Sequence, residues 1–186
     1  MLMYHSGNKL INPEPIFEKA GLHSKMHIAD FGCGKTGQIV FPASKIIGSD
    51  GVIYAVDILQ DDLESINKRA KLNKNPNIHT IWSDVEQVGK TSIPEKSLDM
   101  VFMVNLLNHI AEVDNPLNEA KRLLKEKARI VIVDWKRGHN LTIGPKEDRV
   151  VDFNKIANWA ADNNFTVQEK FSAGKYHNGI ILFRHD

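Results

Sequence analysis

The chain has 186 residues, enough for one domain with a substantial core, and its 42% hydrophobic and 25% charged residues are ordinary for a folded globular protein. Its 24 Lys and Arg against 23 Asp and Glu give a net charge of +1, so the composition provides no field that would hold a polyanion. The single cysteine, the lack of an apolar run near the roughly 18 residues of a membrane span and the lack of a signal-peptide pattern favour a cytoplasmic protein. We expect one domain over residues 1–186, with a flexible arm at 1–12 and a core at 13–186.

Short apolar runs alternate with amphipathic stretches along the chain, a pattern typical of a largely parallel sheet covered by helices. The predicted strands span residues 26–31, 52–57, 78–82, 98–104, 128–133, 165–171 and 179–184. The predicted helices span residues 13–21, 38–47, 61–71, 117–126 and 149–163. Because the connection between the last two strands is too short for a helical crossover, we expect these strands to pair antiparallel.

The glycine-rich turn after the first strand is the strongest local signal. Gly32, Gly34 and Gly37 lie in DFGCGKTG between a predicted strand and a predicted helix. Backbone amides at such a place can face a ligand, and glycine lets the ligand approach closely. The alternative is a tight turn without a ligand. A phosphate-binding P-loop is excluded because that motif needs a glycine where this chain has Ala29.

Acidic residues stand near the carboxyl ends of the first three strands, where ligands of such sheets bind. Asp57 can accept both hydroxyls of a ribose, or it can cap the following helix. Asp84 can accept the exocyclic amine of adenine while the Val85 amide meets a ring nitrogen, or it can form a surface turn. Asp30 would repel a pyrophosphate but attract a sulfonium or ammonium group, which favours S-adenosylmethionine (SAM) over a dinucleotide.

Taken together, DFGCGKTG, YAVD, WSDV, LDMVFMVN and ARIVIVDW resemble the class I SAM-dependent methyltransferases, and the resemblance covers residues 13–184. Within that class, DMVFMVNLLNHI, IVDWKRG, GPKEDRV and YHNGIILFR are similar to the small relatives of the ubiquinone/menaquinone-biosynthesis C-methyltransferases. The resemblance implies an α/β, Rossmann-like fold. Its mostly parallel, seven-stranded sheet would end in an antiparallel C-terminal hairpin strand and carry helices on both faces.

The resemblance also implies which residues contact SAM. Asp30, Gly32 and Gly34 would face its methionine part, Asp57 its ribose, Asp84 and Val85 its adenine, and Asn105 its sulfonium. The complete implied set is Asp30, Gly32, Cys33, Gly34, Gly37, Asp57, Ile58, Asp84, Val85 and Asn105. The turn carries one residue more than the G-x-G-x-G usual in this class, which leaves the role of Gly37 open, and Cys33 also reads as a small packing residue.

Methyl transfer from a sulfonium needs alignment and exclusion of water, and it needs a base only where the acceptor must lose a proton. His109, just beyond the fourth strand, is the candidate base, with a capping or surface histidine as the alternative. The substrate-side candidates are Tyr4, His5, Asp134, Trp135, His139, Arg149, Tyr176 and His177. Each also has a simpler interpretation as rim packing, a solvated histidine or a local ion pair. No Cys and His spacing indicates a metal site.

The sequence therefore predicts an enzyme that transfers a methyl group from SAM to a small-molecule acceptor by in-line displacement, with S-adenosylhomocysteine as the product. A monomer or a homodimer is expected, with no membrane partner, and the sequence carries no strong nucleic-acid signal. Three alternatives stay open: an NAD(P)-binding enzyme, a methyltransferase of RNA or protein that works with a partner, and a non-catalytic SAM-binding protein.

Overall fold

The computed structural model describes residues 10–139 and 141–185, and these form a seven-stranded mixed sheet with helices around it. The strands are β1 (His27–Phe31), β2 (Val52–Asp57), β3 (Ile78–Trp82), β4 (Leu98–Val104), β5 (Leu124–Trp135), β6 (Phe165–Ser172) and β7 (His177–Arg184). The helices are α1 (Pro13–Ala20), α2 (Val40–Ile47), α3 (Gln60–Leu72), α4 (Asp114–Leu123) and α5 (Phe153–Asp162). Short 3-10 turns lie at Leu107–His109 and Glu147–Arg149. The strand order is β3-β2-β1-β4-β5-β7-β6, with β7 antiparallel to β5 and to β6, so the predicted fold class is confirmed.

The sheet is buried on both faces because its central strands are almost entirely apolar. Along β4, Met100 and Phe102 join one core cluster while Val101 and Met103 join the other. Successive side chains of a strand point to opposite faces, so a continuous apolar run is what a sheet covered on both sides requires. The first cluster packs under α1, α2 and α3, and the second packs under α4 and α5.

The site edge of the sheet follows from the strand order. Strands β1 to β5 run parallel, so their carboxyl ends meet at one edge. The strand order reverses where β1 lies between β2 and β4, and a crevice opens beyond such a switch point. Asp30 sits at this switch, paired in register with Ala55 of β2 and Phe102 of β4.

Three helices differ from their predicted bounds by more than one residue at an end. The prediction of α2 from residue 38 was two residues early, because the glycine-rich turn continues to residue 39. The prediction of α4 over 117–126 placed it after Pro116, but the helix begins at Asp114 because proline is tolerated in a first turn. The prediction of α5 from residue 149 was early, because the Asp152 side chain caps Asn154 at 2.9 Å and starts the helix there. None of the helices in the described ranges is long and apolar enough to cross a membrane.

A buried carboxylate ties α4 to the loop that follows β3. Glu119 is fully buried and accepts hydrogen bonds from the backbone amides of Gly89 at 2.7 Å and Thr91 at 3.0 Å. Arg122 donates to the same carboxylate at 2.7 and 2.9 Å. Burial opposes ionisation, but these hydrogen bonds prevail and lower the pKa of Glu119 to about 2. The loop after β3 is thereby held against the body of the protein.

Replacing this carboxylate tests its contribution to stability. We expect Glu119→Gln to lower the free energy of unfolding by about 3 kcal/mol at pH 7, because a buried, fully bonded charge is lost. The folded-state pKa lies below the ordinary 4.5, so the contribution is present above that pH and is lost as the pH falls towards 2. Urea unfolding should therefore show a smaller gap between variant and wild type at pH 3 than at pH 7. Glu95→Gln is the matched control, since Glu95 contacts the same Arg122 but its side chain is 66% exposed. Equal losses in the two variants would contradict the assignment.

Candidate functional site

A cavity of about 700 Å³, here called the central cavity, opens at the switch between β1 and β4. The end of β1, the glycine-rich turn, the start of α3 and the segment after β4 form its walls. Of the predicted site residues, Asp30, Gly32, Cys33, Gly34, Asn105 and His109 line it. Lys35, Leu59 and Asp62 line it as well and were missed in the sequence. The signal that could have identified Asp62 in the sequence is its position in the first turn of the helix that follows the second strand.

The backbone amides of Gly32 to Lys35 in the glycine-rich turn donate hydrogen bonds to other groups of the protein itself. This differs from the expectation that they face a ligand. The pairs are Gly32 and Cys33 to the Val56 carbonyl at 2.8 and 3.1 Å, Gly34 to Asp57 Oδ2 at 2.9 Å, and Lys35 to the Asp62 carboxylate. A phosphate cradle needs free amides, so this stretch of the turn is not one.

The glycines of the turn have different roles. Gly34 has a φ of +58°, lines the central cavity, and a side chain added there would meet nothing within 4 Å. Gly37 has a φ of +55°, and an added Cβ would lie 2.7 Å from Ile66 Cδ1 and 2.9 Å from the Phe41 ring. Gly37 does not line the central cavity. Its glycine is explained by close packing of the turn on α2 and α3.

The central cavity has an acidic wall. Asp30 is 2% exposed, and burial followed by repulsion from Asp57 raises its pKa well above the ordinary range. Burial and the charge of Asp57 also raise the pKa of Asp62. Cys33 is buried here, and burial and the same carboxylates raise its thiol pKa, which keeps it protonated. Within the described residues no group of three His, Cys, Asp or Glu could hold a metal ion.

Asn105 combines backbone strain with an unpartnered polar atom. Its φ of +54° is in the left-handed region, which costs a non-glycine residue about 1–3 kcal/mol. Its backbone amide donates to the Val133 carbonyl at 2.9 Å, so the neighbouring strand holds this conformation. Its Oδ1 atom is buried and has no hydrogen-bond partner among the described residues. Such an atom costs free energy unless a ligand supplies a donor.

A smaller cavity of about 210 Å³, here called the strand cavity, lies beyond the ends of β2 and β3. Its predicted members are Gly32, Asp57, Ile58, Val85 and His109. The predicted alternative role of Asp57 as the cap of α3 is wrong, because the N-cap is Leu59 and has no side-chain cap bond; the Asp57 Oδ1 instead accepts from the Leu59 amide at 3.0 Å, just before the helix. Asp84 does not line the cavity: its carboxylate accepts from the Glu86 amide at 3.0 Å and from Gln87 Nε2 at 3.1 Å. Its geometry is that of the surface-turn alternative.

A third cavity of about 330 Å³, here called the loop cavity, lies between the 3-10 turn after β4 and the loop after β5. It is lined by Asn108, His109, Trp135, Ile143, Gly144, Pro145, Lys146 and Arg149. Trp135 and Arg149 were predicted on the substrate side, while Lys146 and Ile143 were missed. The exposed His109 lines all three cavities, so it stands where they meet.

Asp134 is a buried anchor for the segments that form the loop cavity. It is fully buried and accepts from Asn108 Nδ2 at 3.0 Å and from the Trp135 amide at 2.8 Å. Burial raises its pKa to about 6 against the opposing effect of these hydrogen bonds. It does not line the loop cavity, so it acts here as an anchor for the turn that carries His109.

The remaining substrate-side candidates are spread over different surroundings. His177 is fully buried, its ring centre lies 4.4 Å from that of Trp135, and neither ring nitrogen has a partner in the described part of the chain. It is therefore not a solvated loop histidine. Burial lowers the pKa of His177 to about 4, followed by repulsion from His139 when that ring is protonated and from Lys136. Tyr176 lies in the β6–β7 turn and lines none of the three cavities. Tyr4 and His5 fall outside the described residues.

Several proteins with a similar sequence or structure are named as methyltransferases, although one similar structure is named as a [4+2]-cyclase. A family model described as a methyltransferase domain matches residues 22–177. The 2-phytyl-1,4-naphtoquinone methyltransferase of Trichormus variabilis is 28% identical over 111 residues, which are 60% of this chain and 47% of that protein. The aklanonic acid methyltransferase of a Streptomyces species is 34% identical over 75 residues, which are 40% of this chain and 32% of that protein. The chain thus spans about half or less of the length of these curated relatives.

Solved structures agree on the fold. A SAM dependent methyltransferase from Aquifex aeolicus superimposes with a TM-score of 0.83 over 96% of this chain and 93% of its own. The two sequences are 24% identical, so this likeness supports the architecture alone.

The two glycines of the turn give a matched stability test. We expect Gly37→Ala to lower the free energy of unfolding by about 2–4 kcal/mol, because left-handed strain is added to overpacking against Ile66 and Phe41. Gly34→Ala should cost only about 1 kcal/mol, since the added methyl group meets open space. Urea denaturation of both variants measures the difference. Equal losses would show that packing at Gly37 is unimportant.

The buried histidine predicts an acid-sensitive fold. The folded-state pKa of His177, about 4, lies below the ordinary 6.5, so its neutral form stabilises the protein above pH 6.5 and this contribution is lost as the pH falls to 4. We expect the wild type to lose up to about 3 kcal/mol more unfolding free energy than His177→Phe between pH 7 and pH 4. Denaturant titrations at several pH values measure this, with the exposed His23→Phe as the control. Parallel curves for wild type and His177→Phe would contradict the assignment.

Proposed function

Because the chain belongs to the methyltransferase domain family, we propose that it transfers a methyl group from SAM to a small-molecule acceptor by in-line displacement. The observation that carries this proposal is the carboxylate of Asp30, which lines the central cavity although it is almost completely buried. In the described part of the chain no cation forms an ion pair with it, and burial and repulsion from Asp57 oppose its negative charge. A buried carboxylate without an ion-pair partner is costly, and a bound sulfonium or ammonium group would supply the missing charge.

The glycine-rich turn supports SAM over a dinucleotide. Its amides from Gly32 to Lys35 already donate to Val56, Asp57 and Asp62. A pyrophosphate placed here would therefore find few free donors, and it would meet two carboxyl groups, Asp30 and Asp62, against one cation, Lys35. A positively charged ligand avoids both penalties.

The two connected cavities fit the two ends of the cofactor. Gly32 and His109 line both the central cavity and the strand cavity, so one ligand can extend through both. We assign the methionine part to the central cavity, beside Asp30 and Asn105. We assign the adenosine part to the strand cavity, beside Ile58 and Val85. Asp57 uses one lone pair of each oxygen on Gly34 and Leu59, which leaves acceptor capacity for the ribose hydroxyls.

Bound SAM supplies a methyl group that is activated by the sulfonium, which departs as a neutral thioether. The chain must align the acceptor with this group and exclude water, and such positioning can supply roughly 7–11 kcal/mol. His109 stands where the cofactor cavities meet the loop cavity. We assign it to take up the proton of an acceptor that must lose one, because the unprotonated nitrogen of an imidazole can act as a general base.

We also propose the domain extent, the compartment, the oligomeric form and the acceptor class of the protein. Residues 1–186 are taken as one methyltransferase domain in the cytoplasm, where a lone, buried Cys33 stays reduced. The active form is proposed to be a monomer or a homodimer. The names of the two curated relatives refer to a naphtoquinone and to aklanonic acid, and this supports a small-molecule acceptor.

Calorimetric titration of the purified chain with SAM, S-adenosylhomocysteine and NAD⁺ tests the cofactor. We expect micromolar binding of the two adenosyl ligands and none of NAD⁺. Asp30→Asn should weaken SAM by about tenfold or more, and S-adenosylhomocysteine less, because only SAM carries the sulfonium charge. Asp61→Asn, on the exposed side of the same α3 turn as Asp62, should leave both affinities unchanged.

Three outcomes would change the conclusion. Binding of NAD⁺ in place of the adenosyl ligands would overturn the family-based activity. Normal SAM binding without methyl transfer to any small molecule, tested with methyl-labelled SAM, would indicate a non-catalytic SAM-binding protein. Methylation that appears only when RNA or protein is added would indicate a macromolecular acceptor.

Asn105 offers a test that separates function from stability. Asn105→Gly should retain or raise the free energy of unfolding, by up to about 1 kcal/mol, because glycine relieves the left-handed strain. It should weaken S-adenosylhomocysteine binding by about tenfold, because the unpartnered Oδ1 is lost. Urea unfolding and calorimetry on the same sample measure both. Unchanged affinity would remove Asn105 from the proposed cofactor site.

A further inference from the structure

We propose that the loop cavity binds an anionic group of the acceptor, a carboxylate or a phosphate, through Lys146 and Arg149. This inference rests on the proposed function and adds the chemical class of the acceptor to it. The loop cavity is lined by these two cations and by no carboxylate. Neither cation forms an ion pair with a carboxylate anywhere in the described ranges. The cavity therefore has positive charge that the protein leaves uncompensated at contact distance.

The acidic residues nearest in sequence do not neutralise it. Glu147 is engaged through a hydrogen bond from the Gly138 amide at 2.7 Å. Asp134 is held behind the cavity by Asn108 and Trp135. Asp148 and Asp152 line a neighbouring cavity that also touches Arg149, but neither forms an ion pair with Arg149 in the described part of the chain. The positive charge facing the loop cavity is thus available to a ligand.

The loop that carries Lys146 is held in place by hydrogen bonds within the protein, without a ligand. His139 Nδ1 accepts from the Leu141 amide at 3.1 Å, and His139 Nε2 lies 2.9 Å from the Pro145 carbonyl. A carbonyl only accepts and an amide only donates, so the ring is neutral with its proton on Nε2. Gly144 packs on this ring, where an added Cβ would lie 2.3 Å from the His139 Cε1 atom. The loop is therefore preorganised, which lowers the entropic cost of binding.

Apart from the polar Asn108, the rest of the lining is apolar or aromatic. Trp135 is nearly buried between the rings of His139 and His177, at centroid distances of 4.9 and 4.4 Å. Ile143 lines the cavity and is 60% exposed. A ligand with a flat or apolar body and one anionic group matches this combination.

The charged groups of the central cavity and of the loop cavity would orient such an acceptor. The central cavity is lined by two carboxyl groups, Asp30 and Asp62, against one cation, Lys35, so it does not attract an anion. Lys146 and Arg149 in the loop cavity do attract one. His109 lines both cavities. An acceptor anchored by its anionic group in the loop cavity would therefore direct its other end past His109 towards the donor side.

Three small probes that share one aromatic ring test the inference. Benzoate, phenyl phosphate and the neutral benzamide are titrated into protein saturated with S-adenosylhomocysteine, and binding is followed by ligand-observed NMR at low salt. We expect at least one anion to bind about tenfold more tightly than benzamide, with an affinity that falls as salt rises. The better of the two anions identifies the group as a carboxylate or a phosphate.

Substitutions assign the binding to the two cations. Arg149→Gln and Lys146→Gln should each weaken the preferred anion by about five- to tenfold and leave benzamide unchanged. Lys155→Gln is the matched control, because Lys155 is an exposed cation of the neighbouring cavity that does not line the loop cavity. Its affinity for the anion should stay within twofold of wild type.

Two results would overturn the inference: anions that bind no better than benzamide, or anion affinities that are unchanged in both Gln variants. Calorimetry with S-adenosylhomocysteine on the same samples distinguishes this failure from failure of the proposed function. Normal S-adenosylhomocysteine binding without an anion preference refutes only the anionic acceptor. Loss of S-adenosylhomocysteine binding in the wild type refutes the cofactor assignment itself.

Discussion

The carboxylate of Asp57 is the contact on which the shape of the site depends. It accepts from the Gly34 amide at 2.9 Å and from the Leu59 amide at 3.0 Å, so it joins the glycine-rich turn and the entry to α3 to the end of β2. The Val56 carbonyl adds bonds to the first two amides of the turn. A conformation that needs left-handed φ angles at its glycines is thereby fixed by the neighbouring strand. Gly32 lines both the central cavity and the strand cavity, so the shape of both cavities depends on this attachment.

Charge is separated across the same edge of the sheet. The central cavity carries the carboxylates of Asp30 and Asp62, and the loop cavity carries the cations Lys146 and Arg149. The two are bridged by His109 at the end of a 3-10 turn, which the buried Asp134 holds in place through Asn108. The two cavities therefore differ in the charged groups that line them although the net charge of the chain is only +1, and the central cavity also holds one cation, Lys35.

Much of the fold could be predicted from the sequence because its signals are local. The apolar runs of β4 and β5, the short β6–β7 connection and the glycine-rich turn identified the sheet and its terminal hairpin, and the resemblance to methyltransferases is confirmed by the family model over residues 22–177. Errors arose where two local signals competed. Pro116 was interpreted as a boundary before α4, but it lies within the first turn of that helix.

The candidate site was predictable as a set of residue types at the strand ends, but not as a set of contacts. The sequence by itself determined that Asp30, Asp57, Asn105 and His109 would gather at one edge, because parallel strands bring their carboxyl ends together. Only the tertiary structure decided that Asp84 bonds within its own turn, that Gly37 packs against α3, that His177 is buried behind Trp135 and that Lys146 lines a cavity. The physical reason is that burial, hydrogen-bond pairing and charge compensation depend on partners far apart in the chain, and only the folded structure brings those partners together.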